Sequence, residues 1–313
     1  MPSREERARR RRKIRRIIRD IPHLPTIPTI MLELQEVLSD PHPRPATLAR
    51  IIGKDVSTAG RLLKVVNSSP LYAGATGEVW DIAEAVRQVG VMEIRRLAST
   101  LSVVRTFPDS LNHLDYTEFW RHSLGVAGAA RLLAVLSYRR SRLDPEEAYT
   151  AGLLHDVGWL LLDQYLPDVA SSIMQLARAR RLARLEAERE VLGTDHGEVG
   201  GMLLERWNLP AEIIEAVSWH HDPETSSTAG RNLARLVHVS DHVCRRAGIG
   251  DADGAPREEF PAAALQRLGI PWREKEKTVE GLVGAGRVMA DIIVHLPPGT
   301  ATGRYPRRGP GGG

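Results

Sequence analysis

The sequence predicts an all-α protein, and three observations support that prediction. Leu, Ala, Arg and Glu, which favour helices, are abundant, while aromatic residues make up only 5% of the 313 residues. Apolar residues recur three and four positions apart along most of the chain. No segment shows the sustained alternation of polar and apolar residues that is typical of strands. Because 42% of the residues are hydrophobic, the chain can also bury a sizeable core.

The first predicted element is a basic amphipathic helix in residues 1–20, a segment with ten Arg or Lys and three acidic residues. Its net charge is +7 whereas the whole chain carries +4, so the remainder is slightly acidic. The isoleucines at helical spacing are Ile14, Ile17, Ile18 and Ile21. Charge runs are usually solvated, with their apolar residues docked on the body. The alternative is a surface that binds nucleic acid or an anionic membrane.

The compartment is inferred from apolar runs and cysteine content. No stretch approaches the roughly 18 apolar residues of a membrane span, and the amino terminus lacks the apolar core of a signal peptide. The single cysteine, Cys244, excludes an internal disulfide and fits a reducing environment. We therefore expect a cytoplasmic protein that does not cross a membrane.

Residues 21–108 are expected to form an amino-terminal helical subdomain. Prolines at positions 25, 28, 41 and 43 bracket a short helix at residues 30–38. Apolar spacing predicts four more helices, over residues 47–54, 57–67, 82–89 and 91–104. Gly90 separates the last two, because glycine suits a helix end.

Residues 109–250 are expected to form a second helical subdomain. A long helix is predicted over residues 116–136, and Pro145 favours the start of a helix that reaches Leu154. Further helices are expected up to about Tyr165, over residues 169–190, from His196 behind an Asp195 cap, from Pro210 to Trp219, and over residues 229–247. Residues 257–296 are a predicted carboxy-terminal helical extension, and residues 297–313 have the composition of a disordered tail.

Eight nitrogen and oxygen donors in the second subdomain form the candidate site. They are Glu118, His122, His155, Asp156, His196, His220, His221 and Asp241. Glu118 and His122 lie four apart and share a helix face. His155 and Asp156 stand between apolar residues, where adjacent ionisable groups are costly unless a cation compensates them. We expect this pair to be both metal ligands and catalytic residues.

The donor set predicts two or three divalent transition metals, namely Fe, Mn or Zn. A pair of cations about 3.5 to 4 Å apart can activate water and neutralise phosphate oxygens. His220 and His221 diverge by about 100° on a regular helix, so they serve one metal each or lie at a distorted helix end. His238, one turn before Asp241, is a candidate for orienting a ligand. The other histidines, His23, His42, His113 and His295, are assigned core or capping roles.

Several separated motifs occur in order along the chain: Leu24-Pro25-Thr26-Ile27-Pro28, Asp40-Pro41, Ile51-Ile52-Gly53-Lys54-Asp55, Leu62-Leu63-Lys64-Val65-Val66-Asn67-Ser68, residues 82–90 and Phe119-Trp120-Arg121-His122-Ser123. Together they resemble the HDOD family, a signalling branch of the HD superfamily of metal-dependent phosphohydrolases. The resemblance covers about residues 22–245. It implies a multi-helix HDOD bundle in which a metal-centred subdomain follows the amino-terminal one.

The resemblance implies two functions. Many HDOD proteins are thought to have lost catalytic ligands and to act as adaptors in bacterial signalling. The seven donors other than Glu118 nevertheless match the ligand order of the related HD-GYP phosphodiesterases, and Glu118 matches an extra carboxylate in some of them. Two departures matter: Gly158-Trp159 stands where those enzymes have Gly-Lys, and residues 222–227 lack Gly-Tyr-Pro. Cyclic di-GMP hydrolysis is therefore not carried over.

Two hypotheses follow. In the first, the chain is a regulatory protein with a di- or trinuclear metal centre in a degenerate site, and it acts mainly through partner signalling proteins. In the second, it is an active metal-dependent phosphodiesterase or phosphohydrolase that acts on a phosphoester of a nucleotide or of a cyclic dinucleotide. Lys54, Lys64 and Arg121 are candidate phosphate contacts for the second hypothesis.

Overall fold

A computed structural model describes residues 4–21, 29–38, 44–68, 79–107, 113–249 and 261–270. Within these ranges the regular structure is entirely helical, which confirms the all-α prediction. No helix of the described residues combines the length and the apolar composition that a bilayer crossing requires. The Leu24–Pro28 and Asp40-Pro41 motifs, His23, His42 and His295, most of the extension at 257–296 and the 297–313 tail lie outside the described residues.

The first nine helices run from the basic segment to the residues after Asp156. They are α1 (Arg4–Asp20), α2 (Thr29–Leu38), α3 (Pro45–Gly53), α4 (Val56–Ser68), α5 (Ile82–Val89), α6 (Val91–Thr106), α7 (Tyr116–Ser141), α8 (Pro145–Leu154) and α9 (Val157–Tyr165). The next six are α10 (Pro167–Arg180), α11 (Arg184–Leu192), α12 (His196–Arg206), α13 (Ala211–Ser218), α14 (Arg231–Arg246) and α15 (Ala262–Arg267).

Aspartate caps fix several helix starts. Asp81, Asp115, Asp144 and Asp195 each accept a hydrogen bond from a backbone N–H in the first turn of the helix that follows. Such caps satisfy amide groups that have no partner within the helix. The predicted starts near residues 116, 145 and 196 therefore agree with the observed ones.

The predicted continuous helix over residues 169–190 is wrong. Helix α10 ends at Arg180, and Arg181 adopts the left-handed conformation with φ 54° while its N–H bonds to the carbonyl oxygen of Arg178 at 3.4 Å. The chain then starts again as α11, which buries Ala187 and Glu188. A run rich in Arg, Leu and Ala gives no break signal, because these residues all favour helix.

Two hydrophobic clusters make up the interior. The amino-terminal core is formed by α2 to α6, and the main core by α7 to α15 together with α1 and the end of α6. Ile14 and Ile18 of α1 are 6% and 3% exposed and belong to the main core. This is the docked arrangement expected for the isoleucines of the basic segment. The subdomain boundaries themselves stay a prediction.

A buried ion cluster joins α6, α7 and α8. The Glu146 carboxylate lies 3.0 Å from the Arg95 guanidinium, 2.9 Å from that of Arg96 and 3.0 Å from that of Arg131. Burial raises the pKa of Glu146, but hydrogen bonds and charge from Arg96, with help from the other two arginines, lower it on balance. The cluster anchors the start of α8, the helix that leads directly into His155 and Asp156.

Candidate metal centre

Five segments direct side chains into one buried cluster. Helix α7 contributes His122, the α8–α9 junction contributes His155 and Asp156, α12 begins with His196, the turn after α13 carries His220 and His221, and α14 carries Asp241. Three sets of three ligand atoms lie within 4.8 Å of one another: His196–His220–His221, His122–His155–Asp241 and His155–Asp156–His220. The structure thus brings seven of the eight predicted donors together.

A close approach between α9 and α12 places Asp156 beside His196. Gly158 lies so near α12 that a Cβ atom there would stand 2.0 Å from the carbonyl oxygen of His196. It would also stand 2.7 Å from the backbone nitrogen of Gly200. Only glycine fits this contact, because both neighbours are backbone atoms that cannot rotate away.

Asp156 stands between two of the ligand sets. Its Oδ1 lies 2.9 Å from His196 Nε2 and 3.8 Å from His220 Nε2. Its Oδ2 lies 3.4 Å from His155 Nε2 and 3.9 Å from His122 Nε2. A carboxylate with one oxygen toward each set has the placement of a ligand shared by two cations.

Asp241 defines the opposite side of the cluster. Its Oδ1 lies 3.0 Å from His122 Nε2 and 3.9 Å from His155 Nε2. The same oxygen accepts a hydrogen bond of 2.7 Å from Nε of Arg245, one helical turn further along α14. The Arg245 side chain is 31% exposed, so a cation lies at the edge of the cluster.

Four histidines of the cluster share one hydrogen-bonding pattern. Each Nδ1 faces an oxygen: His122 that of Ile249 at 3.0 Å, His155 that of Gly152 at 2.8 Å, His220 that of Val217 at 2.7 Å, and His196 the Glu188 carboxylate at 2.7 Å. Oxygens of this kind only accept, so each Nδ1 carries the proton and donates. Every Nε2 lone pair is then available to a cation inside the cluster.

Unpaired polar atoms show that the donor set fits a metal. Among the described residues, the buried atoms without a hydrogen-bond partner include Nε2 of His155 and Nε2 of His220. A buried polar group without a partner costs free energy unless something else compensates it. Imidazole nitrogens with carboxylate oxygens are ligands that Fe, Mn and Zn accept. We therefore conclude that these residues suit divalent transition metals.

His196 and His221 face each other through Nε2 atoms 2.8 Å apart. This is a hydrogen-bond distance, and two imidazole nitrogens on one tetrahedral cation would stand about 3.3 Å apart, so a small shift of either ring would let both bind one ion. Helix α13 ends at Ser218, so His220 and His221 lie in an irregular turn, the second of the two arrangements expected for this pair.

Protonation compensates the buried carboxylates in the metal-free cluster. Burial lowers the pKa of His196, but the charges of Glu188 and Asp156 outweigh it and raise that pKa to about 10. Burial also lowers the pKa of His122, yet Asp241 raises it on balance. Burial and the neighbouring histidines lower the pKa of His220 to about 3. A bound cation would replace the protons on His196 and His122.

Other predicted residues lie outside the cluster. Glu118 forms an ion pair with Arg121 and belongs to none of the three ligand sets, so its role as a ligand stays a prediction. Lys54 pairs with Glu33 at 2.6 Å in the amino-terminal region. Nδ1 of His238 donates a hydrogen bond to the backbone oxygen of His220 at 2.8 Å and so supports the backbone of a candidate ligand. Lys64 is exposed on α4.

Two functional candidates were missed by sequence reasoning. Glu188 is fully buried behind His196, and Arg245 contacts Asp241. The sequence signal that could have identified Glu188 as a buried carboxylate was its position next to Ala187 on an apolar helix face. The assumption of one long helix over 169–190 hid that face. His113, assigned a structural role, is held at Nδ1 by Asp163 over 3.0 Å.

Comparisons with known proteins agree with the geometry. The HDOD domain profile matches residues 24–223. The crystal structure of an HDOD domain protein from Geobacter sulfurreducens has 27% identity and a TM-score of 0.74, and the match covers 90% of this chain and 99% of that chain. The structure of a phosphohydrolase-type protein from Shewanella amazonensis SB2B has 25% identity and a TM-score of 0.68, over 88% of this chain and 97% of that one.

A curated protein from Treponema pallidum is 25% identical over 256 residues, which is 79% of this chain. This chain spans 46% of that relative's length. The similarity therefore concerns a part of the longer protein.

Proposed function

Because the chain belongs to the HDOD domain family, we propose that it is a signalling protein built around a metal-binding HD-type centre that retains phosphohydrolase chemistry. The residues that would hold the ions are His122, His155, Asp156, His196, His220, His221 and Asp241. Two cations fit the ligand sets best, with Asp156 between them. Iron, manganese and zinc all suit these donors. The single buried cysteine further supports a cytoplasmic location.

One observation carries the proposal. Two buried atoms, Nε2 of His155 and Nε2 of His220, have no hydrogen-bond partner although they lie in one cluster. A degenerate site whose histidines had become structural would pair these atoms with donors or acceptors of the protein. Their lack of partners supports a site that is built for cations, and the turnover assay distinguishes hydrolysis from a regulatory metal centre.

The bound ions and the side chains would make different contributions to the chemistry. Bound divalent cations would supply a water of lowered pKa and neutralise phosphate oxygens. Arg245 is at the edge of the cluster and partly exposed, so it is the candidate contact for a substrate phosphate. Trp159 cannot take that role, because it is 0% exposed and its Nε1 donates to Glu188. The proposed substrate class is a phosphoester of a nucleotide or of a cyclic dinucleotide.

The test is elemental analysis of the purified protein followed by turnover assays. A generic aryl phosphodiester and cyclic dinucleotides are supplied with Mn²⁺ or Fe²⁺. We expect about two metal equivalents and turnover, both lost in Asp156→Ala. Asp163→Asn, which alters a buried carboxylate outside the cluster, is the matched control and should retain both. A metal-free wild type, or turnover that persists in Asp156→Ala, would contradict the proposal.

Action through protein partners is the second candidate. Helix α7 exposes Val135, Leu136 and Tyr138 at 49%, 53% and 58%. Large exposed apolar side chains on one helix are typical of contact surfaces. This hypothesis predicts capture of a signalling protein that depends on these residues and survives Asp156→Ala. Loss of capture in Asp156→Ala would count against it.

A polyanion at α1 is a further partner to test. Arg9, Arg12, Lys13 and Arg16 are exposed while the isoleucines of α1 are docked in the main core, which leaves a basic outer face. Replacing Arg12 and Arg16 with Glu keeps the docked residues and removes the charge. Binding to RNA, DNA or anionic vesicles should weaken in this variant and with rising salt. Binding that is unchanged by both would exclude this role.

A further inference from the structure

Glu188 is a buried carboxylate that supports one ligand of the proposed metal centre. It is 0% exposed. Its Oε2 accepts hydrogen bonds from Nδ1 of His196 at 2.7 Å and from the backbone N–H of His196 at 2.8 Å. Its Oε1 accepts one from Nε1 of Trp159 at 2.9 Å, and Nε of Arg184 lies 3.6 Å away. Glu188 thus holds both the ring and the backbone of His196.

The support of His196 differs from that of its neighbours. His122, His155 and His220 place Nδ1 against backbone carbonyl oxygens, which carry only a partial charge. His196 places Nδ1 against a full negative charge. A carboxylate behind a ligating imidazole fixes the tautomer and strengthens the ring as a donor more than a carbonyl does.

The carboxylate support from Glu188 acts on the ligand set that contains no carboxylate of its own. The set His122–His155–Asp241 contains its own carboxylate, whereas the set His196–His220–His221 consists of imidazole rings alone. On the cluster side of His196, the adjacent carboxylate is Asp156, whose Oδ1 lies 2.9 Å from Nε2 of His196. Glu188 adds a second negative charge on the far side of that ring. Charge neutralisation at this position therefore depends on a residue that cannot reach the cation itself.

We infer that Glu188 is a positioning residue that sets the affinity of the three-histidine metal position through His196. Trp159 assists it, because the indole N–H occupies Oε1 and leaves Oε2 to His196. The Arg184 guanidinium lies 4.5 Å from the centre of the Trp159 ring and covers this arrangement. The inference rests on the proposed metal-binding function. It adds a physical reason why the two ions would bind with different affinities.

A purely structural role makes a different prediction, and the chain contains the control for it. Asp163 is also 0% exposed and accepts from the backbone N–H and faces Nδ1 of a histidine, at 2.8 and 3.0 Å. That histidine, His113, belongs to none of the ligand sets among the described residues. Asp163→Asn removes a buried carboxylate that makes the same two contacts to the ring and the backbone of a histidine but leaves the cluster unchanged.

The experiment is a Zn²⁺ titration of metal-free protein against a chromophoric chelator, with thermal melting of the same samples. Glu188→Gln keeps the size of the side chain but has one acceptor oxygen for three donors. The double variant Glu188→Gln with Trp159→Phe removes the donor that the new amide would face. We expect two Zn²⁺ equivalents in wild type. One of them should bind about 10- to 100-fold more weakly in both variants.

The outcomes distinguish an effect of the Glu188 charge on metal affinity from an effect of the substitution on folding stability. The double variant should melt at a higher temperature than Glu188→Gln while its affinity stays low, and Asp163→Asn should bind both ions as wild type does. Recovery of affinity together with stability, or an equal loss in Asp163→Asn, would overturn the positioning role while wild type still binds metal. Wild type without Zn²⁺ binding would instead overturn the proposed function and this inference together.

Discussion

Replacing Gly158 with Ala should disrupt both stability and the metal centre. The added Cβ would stand 2.0 Å from the carbonyl oxygen of His196 and 2.7 Å from the nitrogen of Gly200. Because an ordinary carbon–oxygen contact is about 1 Å longer or more, α9 must move away from α12 by a similar amount. Overpacking of this kind costs about 3 kcal/mol, which lowers the melting temperature by about 6 to 12 °C.

The same displacement separates Asp156 from His196, which now approach to 2.9 Å. A misplacement of about 1 Å can lower turnover by about 100-fold. Thermal melting of Gly158→Ala measures the loss of stability, Zn²⁺ titration measures the change in metal affinity, and the phosphodiester assay measures the loss of turnover. Gly60→Ala is the control, since no atom outside its helix lies within 4 Å of the added Cβ, and the melting temperature should rise slightly. A Gly158→Ala protein that melts and binds metal as wild type does would refute the reasoning.

Three further predictions concern the charges around the site. Glu146→Ala leaves the buried Arg95 without its ion-pair partner while Arg96 keeps Glu93, so unfolding free energy should fall by about 3 kcal/mol in denaturant titrations. In wild type the stabilisation from this lowered pKa is present above about pH 4.5 and disappears as pH falls below it. Arg245→Ala should keep both metals and raise KM for a phosphodiester about tenfold, and an unchanged KM would remove Arg245 from substrate binding. Zn²⁺ binding should release a proton from His196 at pH 7 to 8, because its pKa is raised to about 10, so affinity should increase with pH up to that value. Calorimetry in buffers of different ionisation enthalpy measures the release, and equal heats in all buffers would contradict it.

Much of the fold follows from local sequence signals. Asp115, Asp144 and Asp195 cap helices at the predicted starts, since the carboxylate satisfies first-turn amides wherever the helix packs. The break at Arg181 was not predictable in the same way. Arg181 adopts the left-handed conformation although it is not glycine and is exposed, and the local sequence favours helix on both sides.

The candidate site shows the same division. His155 and Asp156 were identifiable because adjacent ionisable residues in an apolar segment require compensation. Glu188 was not, since its distance from His196 in space depends on how α11 turns back toward α12. Arg245 was missed because an exposed arginine four residues after an aspartate is common on helices. Glu118 was selected for sharing a helix face with His122, yet it pairs with Arg121 at the start of α7.

The central claim is that the cluster holds cations at Asp156. The most direct measurement is anomalous X-ray diffraction from crystals of the metal-loaded protein, recorded at the absorption edge of the ion present. We expect two anomalous peaks, one on each side of the Asp156 carboxylate, within bonding distance of the surrounding histidines. No peak in the cluster, or ions bound only at the protein surface, would contradict the claim.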